Sequence, residues 1–158
     1  MDFRIISLPP FTAVTSGPDP KCDFSPEGVL GKFNDYFSAI EPSPRDSFMP
    51  RDFLFFSPEA GALEWWYAIE DGMPDGGYER VSFEGGCFVT YTYRDHDEEE
   101  NGRLYQEALK YINDSTVLEL DDRPGHYSMG HIITPPEIIE AMGYALMEAF
   151  VPVRVKQN

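Results

Sequence analysis

Hydrophobic and polar positions alternate most clearly between Leu63 and Tyr93, where Leu-Glu-Trp-Trp-Tyr-Ala-Ile precedes a glycine-rich break and a second run ending Cys-Phe-Val-Thr-Tyr-Thr-Tyr. Side chains of a strand point alternately to its two faces. Glu64, Trp66 and Ala68 therefore share one face, and Trp65, Tyr67 and Ile69 the other. One indole can fill a core; the second, with an acid beside it, asks for another role.

The same patterning predicts the remaining elements. Phe3–Ser7 and Phe11–Ser16 read as strands broken by Leu8-Pro9-Pro10, since proline in a sheet belongs at an edge or a bulge. Ser25-Pro26-Glu27 reads as a capped helix start, and Val29, Leu30, Phe33, Phe37 and Ile40 give that helix an apolar face to about Ile40. Glu41–Arg51 is a proline-containing loop, and Phe53–Ser57 and Leu63–Ile69 form a hairpin across Pro58–Gly61. Asp71–Gly77 is a linker. Tyr78–Glu84 and Cys87–Tyr93 are strands joined across Gly85-Gly86, and a helix follows over about Asn101–Asn113 with Leu104, Ala108, Leu109 and Ile112 inward. The acidic run before it is a solvated loop and helix entry. Val117–Leu120 and His126–Ile133 are extended. Thr134-Pro135-Pro136-Glu137 has capping-box spacing, with Ile133 stapled onto Ile138. That helix runs to about Met142, stops at Gly143, and leads into a closing strand, Leu146–Val155.

Composition narrows the function. A hydrophobic share of 42% with 15% aromatics supports a folded domain despite a formal net charge of -16. That charge opposes contact with phosphate backbones, so no direct nucleic acid contact is expected. No stretch approaches a membrane span and no leader is visible. With two cysteines, Cys22 and Cys87, in unrelated contexts, the reading is a reduced, cytoplasmic protein of one domain, residues 1–158.

Catalytic and metal motifs are missing. His126 and His131 are five apart on one extended run and face oppositely, so no shared metal is expected. Gly76-Gly77 and Gly85-Gly86 lack the lysine and the helix of a phosphate loop, and Ser128 near the histidines is no triad. No cofactor is implied. Binding chemistry is better supported. Glu64 beside Trp66 would be a carboxylate in an apolar setting, which calls for a cationic or hydrogen-bonding partner; its alternative is to face water. Glu148 poses the same question on a face shared with Phe150 and Pro152. Phe88 is the better pocket residue of its strand, because Tyr91 and Tyr93 share the parity of Val89 and suit packing under a helix.

This order of elements resembles the GyrI-like effector-binding domains, which occur at the C-terminus of AraC-type and MerR-type transcription regulators and as free-standing proteins. Met1–Val14 looks like that family's opening strand with its mid-strand proline, Phe83–Tyr91 like its glycine-then-aromatic strand, and Ala149-Phe150-Val151-Pro152-Val153 like its closing strand. The resemblance implies an α+β fold of duplicated βαββ (SHS2-like) units, pseudo-repeats of about 1–70 and 78–155, forming one antiparallel sheet with helices on one face and a central ligand groove. It implies a small hydrophobic or cationic ligand in an aromatic-lined pocket, for which Glu64, Trp66, Phe88, Tyr91, Tyr127, His131, Glu148 and Phe150 are this sequence's candidate binding residues. The family's late-strand glutamate in a Glu-x-Tyr setting is missing from Pro124–His131, leaving Glu64 or Glu148 to replace it. With no helix-turn-helix in the sequence, DNA would be met by another domain or partner. The alternative is a free-standing hydrolase of cyclopropane-type toxins, using Glu64 or Glu148 with Tyr127.

Overall fold

A computed structural model describes residues 3–41, 43 and 51–157. The protein is α+β, and its described residues form β1 (Arg4–Leu8), β2 (Phe11–Thr15), α1 (Val29–Ser38), β3 (Asp52–Ser57), β4 (Ala62–Ile69), β5 (Glu79–Phe83), β6 (Gly86–Arg94), α2 (Glu98–Asp114), β7 (Leu118–Leu120), β8 (Met129–Ile132), α3 (Pro136–Met142) and β9 (Leu146–Val155). Most of the predicted loop Glu41–Arg51, and Met1 and Asp2 of the opening motif, lie outside the described residues. Two compact units divide the chain: residues 10–84, and the described residues up to Pro9 together with those from Gly85 on.

In the first unit the strand order is β3-β4-β2-β5, all antiparallel. The predicted hairpin is present, with Asp52 opposite Tyr67 and Ser57 opposite Ala62. α1 lies on one face, where Val14, Phe33, Tyr67 and Ile69 form a buried cluster flanked by Phe37, Trp65 and Tyr78. Phe37 stacks on Tyr67 at 5.0 Å between ring centroids. The predicted start at Ser25 is incorrect: Ser25 opens a turn closed by Gly28 N–H on its carbonyl at 2.9 Å, and Gly28 is the N-cap, without a side-chain bond. The carbonyl of Asp23 receives the N–H groups of Leu30 and Gly31 instead, at 3.2 and 3.4 Å. Backbone from the preceding loop thus satisfies helix donors that a serine hydroxyl was expected to satisfy.

In the second unit β6 lies between β1 and β9, and β8 and β7 both pair with β9, over Met147–Phe150 and Val153–Val155. α2 covers one face, burying Leu104, Ala108 and Ile112 with Val89, Tyr91, Val151 and Val153. It begins three residues before the predicted start, because Asp97 is a genuine cap that accepts from Glu100 N–H at 3.0 Å. Glu98, Glu99 and Glu100 are therefore the first turn itself, where the helix dipole favours them. α3 ends as predicted at Gly143, whose φ of 78° suits a residue without Cβ. Its predicted capping box is not formed: Pro135 is the N-cap, and the Thr134 hydroxyl accepts from Leu146 N–H at 2.8 Å. Ile133 and Ile138 stay exposed, so they bury no staple.

Two further expectations are corrected. β5 and β6 form no hairpin with each other: β5 pairs with β2, and β6 with β1 and β9, because the chain leaves one unit for the other at Glu84–Gly85. The extended run predicted from His126 is shorter, since only Met129–Ile132 pairs.

Candidate functional site

Each unit has one sheet face under its helix and another facing away from it, and the predicted site residues divide accordingly. In the second unit, strand parity and register place Arg4, Phe88, Thr90, Met129, His131, Glu148 and Phe150 on the face away from α2. Phe88 and Phe150 are fully buried and meet edge to face at 5.9 Å. The His131 ring stands edge-on to Phe150 at 4.8 Å.

Glu148 is the charged centre of this face. His131 lies directly opposite it in the β8–β9 register, with Nε2 3.9 Å from Glu148 Oε2. That distance is longer than a formed hydrogen bond. The imidazole is nonetheless the largest influence holding the Glu148 carboxyl below the usual carboxylate range. Burial pushes the other way, and the Thr90 hydroxyl and the Arg4 guanidinium add to the lowering. Arg4 Nη1 is 3.5 Å from Glu148 Oε1, yet the Arg4 side chain is 73% exposed, whereas Glu148 is 12% exposed. The arrangement is a partly buried, ionised carboxylate on a face that also carries Phe88 and Phe150, reached by one largely solvated cation.

In the first unit, the face away from α1 carries Phe11, Phe53, Phe55, Glu64, Trp66 and Phe83. Trp66 is buried, edge-on to Phe55 at 4.8 Å and 6.3 Å from Phe83. Its indole N–H donates to Glu64 Oε2 at 2.8 Å, so the half-buried carboxylate meets an aromatic donor on its own strand. Trp65 points oppositely, packing on Phe37 and donating to Asp52 at 3.2 Å.

The structure therefore brings together Phe88, His131, Glu148 and Phe150 in one unit, and Glu64 with Trp66 in the other. Tyr91 is not with Phe88. It lies under α2, its hydroxyl donates to Asn101 Oδ1 at 2.9 Å, and burial pushes its ionisation up. Tyr127 is half-buried in the loop before β8. His126 is buried off the strand: its Nε2 is 3.1 Å from the Gly85 carbonyl and 3.8 Å from Asp121, whose carboxylate holds Arg123. Among the described residues no group of three or more His, Cys, Asp and Glu side chains is placed to hold a metal ion, and no helix is long and apolar enough to cross a membrane.

Sequence reasoning missed Arg4 and Thr90 as neighbours of Glu148, and Phe53, Phe55 and Phe83 as neighbours of Trp66. The phenylalanines were within reach, because Phe53 and Phe55 share a parity that the hairpin register pairs with Trp66 and Glu64. Arg4 was not, since its position depends on the long-range pairing of Arg4 with Thr90.

No family model and no curated protein sequence matches the chain. Solved structures do. An EcmrR–DNA complex determined by cryo-EM matches with a TM-score of 0.55 at 15% identity, over 97% of this chain and 57% of that one. A hydrolase from Listeria innocua matches at 0.51 and 11%, over 97% and 92%. SAV2435 bound to tetraphenylphosphonium matches at 0.50 and 10%, over 98% and 94%. At these identities the shared feature is the fold, and this chain has the α+β fold of those proteins.

Proposed function

We propose that this chain is a cytoplasmic small-molecule-binding domain of the GyrI-like kind, the sensing part of a bacterial transcription regulator, with a hydrophobic cation as its ligand. The observation that carries the proposal is Glu148: a carboxylate held ionised on a face with Phe88 and Phe150, partnered by an exposed arginine that a ligand cation can displace. Burying an unpaired carboxylate is costly, so a site of this kind favours positive ligands, and ring faces add cation–π attraction. Glu64 beside Trp66 is a second carboxylate–aromatic pair of the same chemistry. Two structural neighbours support the reading: SAV2435 is bound to a lipophilic phosphonium, and EcmrR to DNA. DNA contact is left to a partner domain, in keeping with the net charge of -16.

Calorimetric titration with tetraphenylphosphonium tests the proposal. Saturable binding is expected, weakened by about tenfold or more in Glu148→Gln. An absence of binding, or binding indifferent to both Glu148→Gln and Glu64→Gln, would overturn it.

One observation favours a second reading. The His131–Glu148 pair is an imidazole–carboxylate couple that can take a proton from water, and one structural neighbour is a hydrolase. Turnover of a cyclopropane-bearing substrate that is lost in both Glu148→Gln and His131→Ala would select this reading; its absence would dismiss it.

A further inference from the structure

Away from the carboxylate faces, the end of β8 and the whole of α3 leave an apolar surface uncovered. α3 has no buried residue. Ile132, Ile133, Ile138 and Met142 are each between 37% and 44% exposed. Ile138 and Met142 are four apart and so stack on one side of the helix. Ile132 and Ile139 line a cleft of about 670 Å³ together with Tyr144, Arg94, Asp95 and Asp97.

The charges around this surface are mainly negative, with Arg94 as the exception. Residues 124–145 contain no lysine or arginine. Glu137 and Glu140 are exposed on α3, and Asp97, Glu98 and Glu99 are exposed where α2 begins. Arg94, the cation of the cleft wall, lies over the Tyr144 ring with its guanidinium carbon 4.4 Å from the centroid. Exposed aliphatic groups with acids on the same helix and in the adjoining cleft are the complement of an amphipathic helix with a leucine-type stripe and a lysine- and arginine-rich back. A second copy of this chain does not fit, because it would set the same acids against one another on a protein of net charge -16.

We propose that the β8–α3 surface is a docking site for a basic amphipathic helix of a partner protein. The inference is independent of the ligand site, since it uses none of the residues around Glu148.

The test uses the full chain and three short synthetic helices: one with a Leu stripe and a Lys back, one with Leu replaced by Ser, and one with Lys replaced by Glu. Methyl resonances of Ile132, Ile138, Ile139 and Met142 should shift saturably with the Leu/Lys helix alone. Affinity by calorimetry should fall about tenfold in the double variant Ile138→Ser, Met142→Ser. Both side chains are exposed, so an unchanged unfolding transition confirms that the variant folds. Equal binding of the Ser/Lys helix would reduce the surface to an unspecific acidic patch. Shifts confined to other methyls would place the helix elsewhere. Concentration-dependent shifts at the same methyls without peptide, together with a dimer in sedimentation, would make the occupant a second copy. Each of these three outcomes overturns the proposal.

Discussion

His131 and Glu148 face each other across β8 and β9, the imidazole Nε2 3.9 Å from the carboxylate Oε2, on a face shared with the buried rings of Phe88 and Phe150. His131 is the strongest of the groups that hold the Glu148 carboxyl below its ordinary value of 4.5. A carboxyl with a depressed folded pKa binds fewer protons folded than unfolded near that value. It therefore contributes stability that is fully present above the unfolded pKa and is lost as pH falls through the lower, folded value. Urea midpoints followed from neutral to about pH 3 should decline more steeply in the wild type than in Glu148→Gln, with the difference opening below the unfolded value. Parallel declines would show that Glu148 titrates alike in both states.

Arg4 competes for the same carboxylate. Its side chain is 73% exposed while Glu148 is largely enclosed, so the pair contributes on the order of 0–1 kcal/mol. A ligand cation that takes its place must displace it. Arg4→Ala should therefore tighten tetraphenylphosphonium binding by up to about fivefold, with little change in thermal stability. Weaker binding in Arg4→Ala would mean that the guanidinium helps to hold the ligand, and would contradict this role.

At Gly31 packing opposes helix propensity. Alanine in a helix interior is normally favoured over glycine by about 1 kcal/mol. Here a Cβ at Gly31 would lie 1.8 Å from the Ser25 carbonyl oxygen, and one at Gly28 would lie 2.3 Å from that of Asp23. The 23–25 backbone presses on the helix start, where the Asp23 carbonyl receives the Leu30 and Gly31 N–H groups. Gly31→Ala should lower the chemical-denaturation stability by about 1–3 kcal/mol, the reverse of the propensity scale. A stabilised variant would show that the loop yields freely.

Period-two alternation made much of this legible in advance. It separated Trp65 from Trp66, and the structure puts the first beside Phe37 of α1 and the second beside Phe55 on the opposite face. It also set Phe88 apart from Tyr91. What sequence did not disclose was register between distant strands. His131 and Glu148 are partners only because β8 and β9 pair around the inserted α3, and Arg4 reaches Glu148 only because β1 lies against β6. Local chemistry misled at the helix starts, where the Asp23 carbonyl displaced Ser25 and the cap at Asp97 drew an acidic run into α2.

Glu64 and Trp66 provide the last test, because their contact couples a charge to a ring two residues away on one strand. The indole N–H donates to a half-buried carboxylate at 2.8 Å; charge-assisted bonds of this kind contribute about 1.5–3 kcal/mol when a partner is removed. Trp66→Phe removes the donor and leaves a smaller ring between Phe55 and Phe83, whereas Glu64→Gln keeps an acceptor oxygen and removes the charge. Trp66→Phe should be the more destabilising of the two. The double variant should fall short of the sum by about 1 kcal/mol, since the carboxylate no longer loses a partner once it is gone. Urea unfolding of the four proteins in the cycle measures that coupling. Strict additivity would show that the carboxylate charge adds nothing to the bond with the indole.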